Sequence, residues 1–373
     1  MEYAIIGGGI CGLSTALALE QIGVDYQLFE RAPELTVVGA GIWLAPNALQ
    51  ALDYFGVLEQ LKQNGNPIHR VSLCTADLKV LLVIPQTEIE DTFGEATLAI
   101  HRARLQQVLY QALPPEKVHL GKAFAKYEVL GSEAVRVHFE DGTSIETKYL
   151  LGADGLRSRV RQQLFPKSII RNAQQCCWRG MAEEDLEEEF EHWGLELWGD
   201  RIRFGFSKTG PKEVYWFAVA TTDFEGDKGR KQKLLEGFST FHPRVSRLIE
   251  ATPEHKTLRN DISDLKPIRQ WHQGHICLLG DAAHATTPNM GQGGAQAIED
   301  AYHLAQTMGQ FPTGPSFEAF QRNRQPKVNT IVKRSWTTGK MAHWKYGQDL
   351  RNQLLKAMPT KLMAKRMETM YRL

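Results

Sequence analysis

The first thirty residues leave this chain few ways to fold. Ala4, Ile5 and Ile6 form an apolar run of the kind found in a buried parallel strand. Gly7, Gly9 and Gly12 then fit G-x-G-x-x-G. Leu13, Ala16, Leu17 and Ala18 follow with helical spacing, Gly23 can end the helix, and residues 24–29 form a second strand. Glu30 closes the unit 18 residues after Gly12. Each piece has a physical task. Gly7 allows a tight turn, Gly9 lets backbone approach a pyrophosphate, and Gly12 lets helix and strand pack closely. The helix N-terminus, with Ile10 and Cys11 in its first turn, offers free N–H groups to phosphate, and the Glu30 carboxylate can accept hydrogen bonds from a ribose diol. The unit therefore predicts a dinucleotide site. It does not by itself separate NAD from FAD.

At 373 residues the chain is long enough for one large domain or two closely joined ones. Its 44 basic and 43 acidic residues nearly cancel, so no global field points to nucleic acid as a partner. The five cysteines, Cys11, Cys74, Cys176, Cys177 and Cys277, have no zinc spacing, and reduced thiols in a cytoplasmic protein are the plainest reading. The first residues already read as a strand, so no signal peptide is expected, and no apolar run reaches membrane-spanning length.

Further along, residues 39–42 make a Gly-rich segment beyond Arg31 that could lie against a flat ligand. Residues 47–58 read as a helix and 71–84 as a hairpin. His101-Arg102-Ala-Arg-Leu105 opens a helix that Pro114-Pro115 stops. Residues 118–127, 134–139 and 144–151 read as strands, with a turn at Asp141-Gly142. A second informative stretch is Leu150-Leu-Gly-Ala-Asp154-Gly155-Leu-Arg-Ser158-Arg-Val-Arg161. Asp154 falls where a strand end meets a crevice; the alternative is a helix cap.

Aromatic residues crowd between 176 and 222. Residues 195–206 and 213–220 read there as antiparallel strands with an aromatic face, mostly core but able to wall an apolar pocket. Residues 183–191 are an acidic run suited to a solvated helix or loop, and 231–249 a helix broken near Pro243. A third informative stretch, His275-Ile-Cys-Leu-Leu-Gly280-Asp281-Ala-Ala-His284, is a buried strand aimed at Gly-Asp. Pro288, Gly291, Gly293 and Gly294 then lead into a helix over 295–308, a second glycine-rich helix N-terminus. The tail interleaves Leu and Met with Lys and Arg. Such a helix can lie on a membrane surface, but packing on its own protein is the expectation.

Together, Gly7-Gly-Gly-Ile-Cys-Gly12, Asp154-Gly155 and Gly280-Asp281 resemble, in order and spacing, the class A flavoprotein monooxygenases, the para-hydroxybenzoate hydroxylase-like family. The resemblance spans residues 1 to about 340. It implies an α/β fold: a Rossmann-like FAD domain from residues 1–70, 98–171 and 266–340, an inserted antiparallel substrate sheet from 71–97 and 172–265, and a C-terminal helical segment, 341–373. It implies FAD as cofactor and NADH or NADPH as a transient co-substrate. It implies hydroxylation or epoxidation of a small aromatic or polycyclic molecule by dioxygen through a C4a-hydroperoxyflavin. A flavin reductase on the same fold is the alternative.

By resemblance, the cofactor would be held by Gly7, Gly9, Ile10, Cys11, Gly12, Glu30, Arg31, Gly41, Ile42, Arg102, Phe124, Asp154, Asp281, Pro288, Gly291, Gly293, Gly294 and Ala295. Arg201, Arg203 and Tyr215 are the substrate-side candidates, with Arg201 and Arg203 on one face if the strand is regular. Gln296 stands where many relatives carry Asn. His284 beside Asp281 reads as structural.

Overall fold

In the computed structural model, which describes residues 1–35, 39–131, 134–222, 224, 231–310 and 316–373, four sheets organise the chain. Part of the loop after Arg31 lies outside the described residues. The sheet that positions the site has six strands, in the order His272–Gln273, Ile276–Leu278, Tyr149–Gly152, Tyr3–Ile6, Tyr26–Phe29 and Val118–His119. All neighbours are parallel except the first pair. Its central strands are apolar throughout because helices cover them, as a parallel sheet requires.

Parallel pairing explains why three distant motifs meet. Ile6 is in register with Gly152, and Gly152 with Leu278. The bonds continue past the strand ends, from Ala153 N–H to the Ile6 carbonyl (2.9 Å) and from Leu279 N–H to the Gly152 carbonyl (2.9 Å). Gly7, Asp154 and Gly280 therefore leave the same edge side by side. Ligands of open α/β sheets bind at such carboxyl ends.

A seven-stranded sheet runs Leu258–Leu265, Ile170–Glu183, Glu213–Thr221, Ile202–Gly210, Trp193–Trp198, Arg70–Thr75 and Val80–Ile84. One face buries Trp178, Phe190, Trp193, Phe204, Phe206 and Trp216 in a core shared with the helices Lys231–Gly237 and Pro243–Glu250. Alternation sends Tyr215, Phe217 and Val219 to the opposite face, where they line a cavity. A three-stranded sheet, Gly41–Leu44, Thr97–His101 and Gly65–Ile68, touches this sheet, and a second packs Phe124–Leu130, Ala134–Phe139 and Ser144–Thr147.

Several strand expectations change. Residues 118–127 split into Val118–His119 and Phe124–Leu130 around Gly121 at φ +72°. Residues 144–151 split at Lys148 into strands of different sheets. Residues 195–206 are two strands, with Gly199 N–H closing a turn on the Ile202 carbonyl (2.9 Å) and Arg201 at φ +57°. At Lys148 the alternation of Ile145, Tyr149 and Leu151 runs on through the break and hides the change of partner, whereas Gly121-Lys122 and Gly199-Asp200-Arg201 carry turn residues inside the apolar pattern. The acidic run ends a strand at Glu183 and makes one turn of 3-10 helix, Glu188–Phe190.

The long helix Phe317–Ala342 is followed by Gln348–Lys356 and Thr360–Tyr371. These last two pack on the protein itself: Leu355 joins a cluster with Leu81 and Trp198, and Met370 and Tyr371 join Ala45, Ile89 and Ile331. Among the described residues, no helix is long and apolar enough to cross a membrane.

Candidate active site

The glycine loop shows why only glycine serves there. A Cβ on Gly12 would lie 1.8 Å from the Gly7 carbonyl oxygen, and one on Gly7, at φ +109°, 2.5 Å from that of Ala153. A Cβ on Gly9 would meet nothing within 4 Å. That open space faces the N-terminus of the helix Ile10–Gln21, whose first intrahelical bond is from Leu13 N–H to the Gly9 carbonyl (3.0 Å). The N–H groups before Leu13 have no partner in their own helix, so the loop fits a pyrophosphate. Glu30 sits beside it. One carboxylate oxygen accepts from Gly8 N–H (2.5 Å) and the other from Ala32 N–H (2.8 Å), which fixes it at the loop.

The other two motifs are stapled together. Asp154 Oδ2 accepts from the N–H groups of Arg159 (2.7 Å) and Val160 (3.2 Å), while its Oδ1 is buried with no partner. Burial pushes this carboxyl above the ordinary range, against its hydrogen bonds. The buried Arg161 guanidinium donates to the carbonyls of Leu156 (2.6 Å) and Ala282 (3.0 Å), tying the Asp154 turn to the Asp281 turn. Asp281 opens onto the cavity. Surrounding protein raises its carboxyl, although His284, Arg102 and Arg161 pull the other way.

His284 does not face the reaction space. Its Nε2 bonds Asp300 Oδ2 (2.6 Å), which also accepts from Gly280 N–H (2.9 Å). Asp300 in turn accepts from Arg324 Nε (2.8 Å), and Arg324 pairs with Glu299. Gln296 joins this buried network through Gln292 (3.0 Å) and Glu299 (3.1 Å), and Asn47 through Glu299 (2.9 Å). The network braces the glycine-rich N-terminus of the helix Gly293–Gln310 from behind.

One cavity of about 1220 Å³ joins these parts. That exceeds a pocket for one drug-sized ligand, roughly 300–1,000 Å³. Among the expected residues, Gly9, Ile10, Cys11, Gly41, Ile42, Arg102, Asp281, Pro288, Gly291, Gly293 and Gly294 line it, as do Arg203 and Tyr215. Gly7, Gly12, Ala295, Glu30 and Asp154 are not part of its lining, and Glu30 and Asp154 are partly exposed. Phe124 is core, and its carbonyl accepts from Arg159 (2.9 Å). Arg201 is in the turn before the strand and bonds Thr221 Oγ1 (3.3 Å), so it does not share a face with Arg203.

The walls are closely fitted. A Cβ on Gly41 would meet the Tyr215 ring at 2.3 Å, and one on Gly294 would meet Ile42 Cδ1 at 2.9 Å. Arg203 is buried, donates to Glu196 Oε1 (2.9 Å) and bonds the Asn289 side chain. Asn289 is held by Thr287 Oγ1 (2.9 Å) and the Ser335 carbonyl (2.9 Å). Burial raises the Tyr215 phenol, so it stays a neutral donor.

Sequence reasoning missed Arg179. It projects into the cavity beside Phe217 and donates to Asn260 Oδ1 (2.6 Å), with its Nε buried and unpartnered. Its strand carries a bulge between Asn172 and Cys176, with Gln174 at φ +56°, which resets the alternation and hides where Arg179 points. Cys176 and Cys177 are both buried, and burial pushes the Cys177 thiol up to about 11, so neither is a reactive thiol.

A profile of the FAD binding domain family matches residues 1–335. The aurachin C monooxygenase/isomerase of Stigmatella aurantiaca is 37% identical over 351 residues, 92% of this chain and 90% of that protein. The 2-heptyl-3-hydroxy-4(1H)-quinolone synthase of Pseudomonas aeruginosa is 33% identical over 367 residues, 96% and 94% of the two. The crystal structure of Klebsiella pneumoniae HpxO complexed with FAD and uric acid matches with a TM-score of 0.88 at 26% identity, covering 99% of this chain and 96% of that one. With its glycine loop, its three converging motifs and these relatives, the chain belongs to the FAD binding domain family and is an FAD-dependent monooxygenase.

Proposed function

We propose that the enzyme hydroxylates the ring of a bicyclic nitrogen heteroaromatic of the 4-quinolone kind, with NADH or NADPH as reductant and dioxygen as the oxygen source. The observation that carries this reading is the continuity of the cavity. It runs from the N-terminus of the fingerprint helix to the aromatic face of the seven-stranded sheet, with room for two flat ring systems. A relative 33% identical along nearly the whole chain is named for a quinolone product.

In this reading Gly9, Ile10 and Cys11 present N–H groups to the pyrophosphate, Glu30 takes the ribose, and Arg102 and Asp281 hold the linker between ring and phosphates. Gly41, Ile42, Pro288, Gly291, Gly293 and Gly294, which line the cavity, would hold the flavin ring. Bound there, FAD would supply acceptance of hydride from the nicotinamide and activation of dioxygen. The protein orients and shields. Tyr215 and Phe217 flank the substrate ring, and Tyr215 can donate to a ring oxygen. Arg179 balances the negative charge that an ionised hydroxy-heterocycle carries. Arg203 sets the position of Asn289 and, with it, the loop against the flavin. Residues 1–70, 98–171 and 266–340 carry the cofactor, and 71–97 and 172–265 the substrate sheet. Five reduced, buried cysteines favour a cytoplasmic setting.

The test is oxygen uptake by FAD-loaded protein with NADH or NADPH, over a panel of 4-quinolones, hydroxypyridines, hydroxybenzoates and urate. A 4-quinolone that accelerates uptake most, with little peroxide, supports the proposal. Stimulation confined to single-ring acids or purines overturns this substrate class.

A further inference from the structure

Six of the nine methionines in the chain line this one cavity: Met290, Met341, Met358, Met363, Met367 and Met370. Five of them come from the last 33 residues, beyond the matched family region. They face Leu73, Leu82 and Ile84 on the outer strands of the seven-stranded sheet, Arg70–Thr75 and Val80–Ile84. The arm so formed is apolar, while the glycine-loop end of the cavity offers N–H groups and charge. Met341, Met358 and Met367 are only half-buried, so their side chains keep contact surface toward the arm. Exposed Lys333, Arg334 and Arg366 also line the cavity and give the arm a cationic rim.

Neither the phosphates nor the flat rings of a dinucleotide match such a lining. Unbranched thioether side chains adapt to a flexible aliphatic guest. We propose that this arm is the subsite for an unbranched alkyl chain carried on the substrate ring, with the helix Thr360–Tyr371 as its roof. The assignment rests on the ring-hydroxylase reading above. It adds a substrate feature that the fingerprint motifs do not touch, and it gives the C-terminal segment a part in specificity.

The binding experiment uses FAD-loaded enzyme and a series of 2-methyl-, 2-propyl-, 2-pentyl- and 2-heptyl-4(1H)-quinolone. Dissociation constants come from the change in flavin absorbance. The expected result is a fall of roughly threefold to fourfold per added methylene. In Met367→Trp, which fills the arm, that dependence flattens. A dissociation constant indifferent to chain length in the wild type overturns the proposal.

A second measurement does not need the ring. A ten-carbon fatty acid with a terminal diazirine is photolysed with the holoenzyme. Labelling on peptides from residues 341–371, reduced by the truncation of residues 360–373, supports the arm; labelling spread elsewhere, or none on those peptides, overturns it. The two proposals fail separately. Labelling at 341–371 with no quinolone bound at any length removes the ring class and keeps the arm. Quinolones bound with equal affinity and no label there remove the arm and keep the ring class.

Discussion

At the residue scale, the site divides into positions that shape the backbone and positions that meet a ligand. Gly12→Ala puts a methyl where the nearest atom is backbone oxygen at 1.8 Å, and neither partner can yield cheaply. Overpacking of this kind costs about 1–3 kcal/mol. The expected outcome is a lower melting temperature and loss of FAD on gel filtration. Arg179 and Arg203 should behave oppositely. Arg203 is buried in an ion pair with Glu196, which is a quarter exposed. Breaking a buried pair costs about 3–5 kcal/mol, less where one partner meets solvent. Arg203→Met is therefore expected to lose about 2–3 kcal/mol in a denaturant titration. Arg179→Ala is expected to keep stability within about 1 kcal/mol but to lower kcat/KM for an ionised substrate roughly ten- to a hundredfold, the worth of one charged hydrogen bond. The glycines could be read from the sequence because steric demand leaves so few residue types. Arg179 could not, because its direction depends on a bulge that no pattern announces.

At the element scale, strand-helix-strand units were legible and changes of sheet were not. The fingerprint unit carries its own start, turn and stop. By contrast, Thr147 and Tyr149 belong to different sheets although the apolar pattern runs through both. The tail helices show the same limit: an amphipathic pattern announces an apolar face but not its partner. In the structure that face meets Ala45, Ile89 and Ile331. Truncation of residues 360–373 exposes them and removes the buried Met363, Met370 and Tyr371. After the ordering entropy is subtracted, the expected loss is about 2–4 kcal/mol.

The junction before the tail also sets a pH dependence. Burial, reinforced by the nearby Arg203, pushes His343 down to about 4. The unfolded chain then takes up a proton near pH 6.5 while the folded one resists it. Stability from this group is complete above about pH 6.5 and drains away as pH falls toward 4. Wild type and His343→Gln should differ by about 3 kcal/mol less near pH 4 than near pH 7.5, at about 1.4 kcal/mol per unit. A gap that does not change with pH would contradict the burial of a neutral ring.

At the scale of the whole molecule, function follows from topology. Motifs at residues 7–12, 154–155 and 280–281 converge only because their strands are parallel neighbours in register. Their order along the chain was enough to suggest the family, since each motif has a spacing that chance seldom repeats in sequence. The substrate side was less legible. The proposed substrate wall is assembled from one face of the seven-stranded sheet, which is antiparallel except where Trp193–Trp198 pairs Arg70–Thr75 parallel, the loop at Asn289 and the C-terminal helices, and no local pattern links those segments. The same cavity brings cofactor end and aromatic face into one continuous space, and exclusion of water from such a space is what limits leakage to peroxide. The most direct test supplies ¹⁸O₂ to the FAD-loaded enzyme with NADH or NADPH and the best quinolone, and weighs the product. One ¹⁸O atom in each product molecule, with peroxide far below the oxygen consumed, is the result expected of this cavity. Unlabelled product, or peroxide equal to the oxygen consumed with every compound, would contradict oxygen insertion.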